Sequence, residues 1–215
     1  MVGESRRDPA APFGRGRVRR LLGLDRTAPA PAQTRKGEPL RPLTVPNLVG
    51  YARLAAIPVF LYLAFDSGDG RSAAAAILFA AISGSDYLDG LLARMTGQYS
   101  RMGALLDPVV DRITILAGAA VCWHFELLPR WALAVLAARE LVTLVLAQAA
   151  LRRGMELEVN WLGRWAVWPV MAAIFLAMVS ASRAWDALLV LGLLGTLLAT
   201  ALYVRAGLQA ERHSP

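Results

Sequence analysis

A single cysteine and two histidines in 215 residues close off several chemistries. Cys122 alone excludes an intramolecular disulfide and reads as helix packing. His124 and His213 stand too far apart, in settings too different, to suggest a metal site. Charge is also scarce: Asp, Glu, Lys and Arg make up 18% of the chain against 56% hydrophobic residues, and mean hydropathy is +0.45. An ordinary soluble domain is not this apolar, so a polytopic membrane protein is the default. No repeat at a solenoid period is visible. A cleavable signal is not expected, because the first apolar run starts late and lacks a processing site.

The charge that is present is mostly basic and unevenly placed. Net charge is +7, and Arg6, Arg7, Arg15, Arg17, Arg19, Arg20, Arg26, Arg35, Lys36 and Arg41 crowd the N-terminal segment. Residues 1–43 are rich in Arg, Pro, Ala and Gly without an apolar period, which predicts a disordered tail closing in a short interfacial helix. A basic stretch just ahead of a membrane helix suits anionic lipid headgroups better than nucleic acid. Membrane lipid is therefore the expected partner, and nucleic acid is not.

Beyond the tail, apolar windows near the ~20 residues needed to cross a bilayer fall at 46–66, 72–97, 102–126, 130–152, 163–182 and 185–207. They predict an all-α membrane domain of about six transmembrane helices over 44–207, with 208–215 as a C-terminal tail. Arg101, Arg152, Arg153 and Arg164 in the even-numbered connections outweigh Arg71, Arg130 and Arg183 in the others. The positive-inside rule then puts both termini in the cytoplasm. Trp123, Trp131, Trp161, Trp165 and Trp168 cluster near expected helix ends, as an interfacial belt would. Small residues at Ala73 to Ala76, Ala132, Ala134, Ala137 and Ala138 permit close helix approach.

Against that background four carboxylates stand out, in the frame Asp86-x2-Asp89-Gly90-x2-Ala93-Arg94-x8-Gly103-x3-Asp107-x3-Asp111. Ionised groups inside apolar helices imply a function. Asp86 and Asp89 are i,i+3 neighbours and Asp107 and Asp111 are i,i+4 neighbours, so each pair faces one way. If the two helices are antiparallel neighbours, the faces meet. Four crowded carboxylates take up protons unless a cation holds them ionised, and all-oxygen donors suit Mg2+ or Mn2+. The pattern predicts a divalent site, plausibly of two ions. Gly90 and Gly103 allow backbone or ligand to approach closely, Ala93 is small to the same end, and Arg94 offers a fork of donors suited to phosphate.

These eight fixed positions are the signature of the CDP-alcohol phosphotransferase family, which the sequence resembles from Thr44 to about Gly207. Within it, Pro46-Asn47-x5-Arg53-x3-Ile57-Pro58 and Ala138-Arg139-Glu140 are similar to the glycerophospholipid branch, the phosphatidylglycerophosphate and cardiolipin synthases. The resemblance implies a homodimer; the apolar windows and the positive-inside rule, which puts the motif as well as the termini on the cytoplasmic side, predict a multi-pass protein of the cell (inner) membrane with its site facing the cytoplasm. It implies CDP-diacylglycerol as donor, bound through Asn47, Gly90, Ala93, Arg94 and Gly103. It implies two metal ions with Asp86, Asp89 and Asp107 as chief ligands and Asp111 shared or free, and it gives Asp111 the role of general base. None of the eight positions is Ser, Cys or His, so a direct displacement is expected rather than a covalent intermediate.

Acceptor choice is less determined. Arg53, Arg101, Arg139 and Arg164 are candidate cations for a phosphorylated acceptor such as glycerol 3-phosphate, and each has Glu140 or a headgroup as an alternative partner. Phosphatidylglycerophosphate synthases usually carry Gly-Lys-x-Lys-Thr where this chain has Gly163-Arg164-Trp165-Ala166-Val167. That change, the Asp111-Arg112 step and the stretch from Ala138 to Gly163 are similar to actinobacterial cardiolipin synthases, whose acceptor is phosphatidylglycerol. Glycerol 3-phosphate stays slightly ahead on the commonness of its branch, and inositol phosphate is a distant third. A cation-coupled transporter is the alternative from another class; it has no evident need for Gly90, Ala93, Arg94 and Gly103 at these spacings.

Overall fold

A computed structural model describes residues 40–96, 100–152 and 161–212. Side chains at 86, 87, 89, 90, 94, 104, 146–152, 161–164 and 203–212 lie outside that description. So do residues 1–39 of the basic tail, and His213. The described residues form seven helices and no strand: α1 Val45–Asp66, α2 Ala73–Gly84, α3 Asp86–Thr96, α4 Arg101–His124, α5 Arg130–Arg152, α6 Trp161–Val179 and α7 Arg183–Arg212. The all-α class follows the apolar windows, with one difference. The second window is two helices rather than one. At the break, the Ser85 hydroxyl donates to the Ile82 carbonyl at 2.8 Å, and a serine that competes for a last-turn carbonyl favours a helix end.

Local signals set the other boundaries. Thr44 caps α1, its hydroxyl oxygen accepting from the Asn47 amide at 3.4 Å, with Pro46 just inside the helix. After α1, Gly70 takes φ 73°, and a Cβ there would lie 2.5 Å from the Phe125 ring. Only glycine lets the chain turn back so closely over the end of α4. Ser72 caps α2 and Ser100 caps α4 in the same manner as Thr44.

α1 packs against α2, α3 and α4; α4 also meets α5 and α6; α6 lies against α2 and, most extensively, α7, which also touches α5. The apolar core brings Phe60 of α1 against Phe79 of α2, ring centroids 5.5 Å apart, with Ile115, Leu133, Leu136, Ile174, Met178 and Leu189 buried around them. Glycine sets the closest crossings. A Cβ at Gly192 would fall 2.7 Å from Val170 Cγ2. One at Gly118 would fall 2.7 Å from Phe79 and 2.8 Å from Ile174. Gly118→Ala is therefore expected to cost ~1–3 kcal/mol by overpacking, read as an earlier thermal unfolding transition in detergent.

Two helices among the described residues, Val45–Asp66 and Arg183–Leu202, are long and apolar enough to cross a membrane, with mean hydropathy 1.8 and 1.9. Only 28% of each of these windows is buried, so most of their apolar surface faces outward, as lipid contact requires and a soluble core helix does not. Tyr62, Ile77, Trp131, Trp165, Trp168, Leu191 and Leu194 are exposed in the same way. Trp123 closes α4 near Trp131 at the start of α5, and the Arg130 guanidinium lies 5.8 Å from the Trp123 ring centre.

Candidate active site

The inward stripe of α1 organises the site. Asn47, Gly50, Arg53, Ile57, Phe60 and Ala64 are buried at steps of three and four, one face of the helix. The last three belong to the apolar core and the first three face the carboxylate frame. Asn47 Nδ2 donates to the carbonyls of Arg41 at 3.1 Å and Pro42 at 3.0 Å. Its Oδ1 accepts from the Ser100 hydroxyl at 2.9 Å, and that hydroxyl oxygen accepts from the Gly103 amide at 3.0 Å. The side chain thus staples the segment before α1 to the first turn of α4. Close approach at Gly103 is used here by Asn47 itself, since a Cβ at 103 would lie 2.7 Å from Asn47 Oδ1.

Two turns further along α1, Arg53 is 3% exposed. Its Nε donates to the Ile82 carbonyl at 3.1 Å, and its Nη2 donates to Asp111 Oδ1 on α4. Asp107, one turn before Asp111 and half-buried like it, faces the bare backbone of Gly50. A Cβ at position 50 would stand 3.8 Å from Asp107 Oδ1 and 3.0 Å from the Leu106 side chain. Asp107 and Asp111 therefore both lie on the side of α4 that faces α1; the spacing puts them on one face and does not say which helix that face meets.

Asp86, Asp89, Gly90, Ala93 and Arg94 all lie on α3. Ala93 is half-buried, and the side chains at the other four positions lie outside the description. The α3 backbone packs on α1 and α2, so the two helices that carry the frame, α3 and α4, both lie against the first helix. Of the candidate acceptor cations, Arg101 is half-buried at the start of α4, and Arg164 lies on α6 with its side chain undescribed. Arg139 has internal partners: Nη1 donates to Glu140, and Nε donates to the Thr200 hydroxyl at 3.2 Å.

Glu140 is the other centre of charge, 1% exposed. Besides Arg139, the Arg112 Nε lies 2.9 Å from its Oε2. Among the described residues that oxygen has no hydrogen-bond partner, so the Arg112 contact is electrostatic and off the N–H axis. Arg112 directly follows Asp111, and Thr200 is on α7, so this cluster joins α4, α5 and α7 behind the carboxylate face.

Sequence reasoning missed four participants. Gly50 was legible in the 47–50–53 spacing, and Ser100 in its place just before a helix. The Ile82 carbonyl and Thr200 left no signal. For a hard divalent ion the described residues fit in kind, since Asp107 and Asp111 offer carboxylate oxygens on one face of α4; the side chains of Asp86 and Asp89, the other donors of the frame, lie outside the description. Asp111 carries a cationic partner in Arg53, which holds its carboxylate against α1.

A helical bundle with outward apolar faces, in which Asp107 and Asp111 are turned toward the first helix, is the arrangement of a membrane-embedded protein with a polar site. The model of the family described as CDP-alcohol phosphatidyltransferase matches residues 43–203, and the chain belongs to that family. It is a membrane protein. It is 42% identical over 151 residues to the cardiolipin synthase (CMP-forming) of Streptomyces coelicolor, covering 68% of this chain and 70% of that one. Similarity also extends to two proteins named CDP-diacylglycerol--glycerol-3-phosphate 3-phosphatidyltransferase. The one from Bacillus subtilis is 30% identical over 142 residues, covering 60% of this chain and 74% of the relative. The one from Escherichia coli is 32% identical over 127 residues, covering 56% and 68%.

Proposed function

We propose that the protein transfers a phosphatidyl group from CDP-diacylglycerol to a glycerol-type alcohol with release of CMP. The observation that carries this reading is the pair Asp107 and Asp111, facing α1 within a frame whose family is identified. Asp111 takes the proton of the acceptor hydroxyl. The acceptor oxygen attacks the phosphorus that bears diacylglycerol, its bond to the cytidylate oxygen breaks, and CMP leaves with that electron pair. Asn47, Gly90, Ala93, Arg94 and Gly103 border the donor, Asn47 by holding the first turn of α4 in place. Asp86, Asp89 and Asp107, with Asp111 shared, would hold two Mg2+ or Mn2+ ions. When bound, these neutralise the donor pyrophosphate and polarise the phosphorus.

Glycerol 3-phosphate is the acceptor of the main reading, in line with the names of the Bacillus and Escherichia relatives. Of the four candidate cations for its phosphate, Arg53, Arg101, Arg139 and Arg164, Arg53 and Arg139 have carboxylate partners, and Arg101 and Arg164 are the ones we assign to it. A second reading takes phosphatidylglycerol, the acceptor that resemblance to cardiolipin synthases implies; it is supported by the Streptomyces relative's being named cardiolipin synthase (CMP-forming) and by the lone Arg164 in Gly163 to Val167. In either case the bundle crosses the inner membrane six times, α2 and α3 serving as one crossing, with the site and both termini on the cytoplasmic side and two chains forming a homodimer.

The test is CMP release by the purified protein in detergent, with CDP-diacylglycerol, Mg2+ and each acceptor in turn. Release with glycerol 3-phosphate alone supports the main reading, and release with phosphatidylglycerol alone supports the second. Excess chelator is expected to abolish release, and excess Mg2+ to restore it; chelator-resistant release would remove the metal from the proposal.

A further inference from the structure

The sequence offers Arg53 as a cation for the acceptor, yet its surroundings are those of a brace. It is the ninth residue of a helix apolar enough to cross a membrane, and the only other charge in that helix is the terminal Asp66. A guanidinium 3% exposed in such a helix is costly unless it is satisfied from within. One planar group does two things at once: Nε donates to the Ile82 carbonyl, and Nη2 to the Asp111 carboxylate. The same carbonyl accepts from the Ser85 hydroxyl at the break between α2 and α3. Asp86 is the next residue, so one rigid fork ties Asp111 to the point from which the helix of Asp86 and Asp89 starts.

We infer that Arg53 is a positioning residue of the transfer reaction. It sets the Asp111 carboxylate against the α2–α3 break, so that the two halves of the carboxylate frame keep one separation, and it does not dock the acceptor. This rests on the transfer reading given above. Lysine does not substitute, because a point charge on a flexible stem has no fork with which to span two acceptors in fixed directions.

The experiment measures kcat and acceptor KM for the wild type, Arg53→Lys and Arg53→Gln. It uses CDP-diacylglycerol, Mg2+ and whichever acceptor the wild type takes, with circular dichroism and thermal unfolding as controls on folding. A misplaced catalytic group costs on the order of 100-fold, so kcat is expected to fall about that far in both folded variants, while acceptor KM stays within about threefold. A tenfold or greater rise in KM with kcat retained would make Arg53 an acceptor cation and overturn the inference. Full recovery in Arg53→Lys would do so too, since charge alone would then suffice. If neither variant folds, Arg53 is an element of the fold and the inference also falls. Should the wild type release no CMP with any acceptor, the transfer reading fails first, and that failure is visible without any variant.

Discussion

Asp111→Asn is expected to reduce CMP release by ~10²–10⁴-fold, the range a positioned general base contributes, while leaving the protein folded. Asparagine keeps the shape of the side chain and an oxygen that accepts from Arg53, but it takes no proton from an alcohol. Donor binding should change far less than turnover, because the variant leaves Asp107 and all of α3 intact. Some stability is lost, since the guanidinium of Arg53, 3% exposed, no longer faces an ionised carboxylate at position 111. Asp111 is itself 32% exposed, which keeps the loss below that of breaking a fully buried pair. The measurement is turnover together with thermal unfolding on the same preparation. Substantial CMP release by a folded Asp111→Asn protein would take the base role away from this residue, whatever the acceptor.

The carboxylate frame was legible in the sequence because helical spacing turns directly into a face. Asp107 and Asp111 four apart had to share one, and α4 turns it toward α1. The helices were legible too, since apolar runs of spanning length leave few alternatives. What spacing did not reveal is which helix that face meets. The contacts that decide it are remote in sequence: Arg53 reaches Asp111 across 58 positions and Ser100 reaches Asn47 across 53. A lone arginine in an apolar run is equally compatible with a docking cation and a buried brace. Only the positions of the Ile82 carbonyl and Asp111 separate the two. The break at Ser85 was hidden for a related reason: a serine inside an apolar window ends a helix only when its hydroxyl turns back to the preceding carbonyl.

The largest loss of stability is expected from Glu140→Ala. Glu140, 1% exposed, is paired with both Arg112 and Arg139. Its removal leaves two guanidiniums facing each other across a cavity between α4, α5 and α7. Breaking a buried ion pair from one side costs ~3–5 kcal/mol, most of it the penalty of the charge left behind. If that account holds, the loss is not a property of Glu140 alone. Arg139→Met combined with Glu140→Leu should recover a good part of it, since the partner charge goes too and Arg112, 23% exposed, retains a route to water. Glu140→Gln should fall between, keeping an acceptor oxygen for Arg139 without the charge. Thermal unfolding in detergent gives the order: Glu140→Ala lowest, then Glu140→Gln, then the double variant. An alanine variant within about 1 kcal/mol of wild type, the scale of an exposed pair, would mean that water reaches this cluster. Turnover of the double variant then carries the argument back to the site. Arg112 follows Asp111 on α4, so if the cluster also sets the rotation of that helix, activity stays low even where stability has returned.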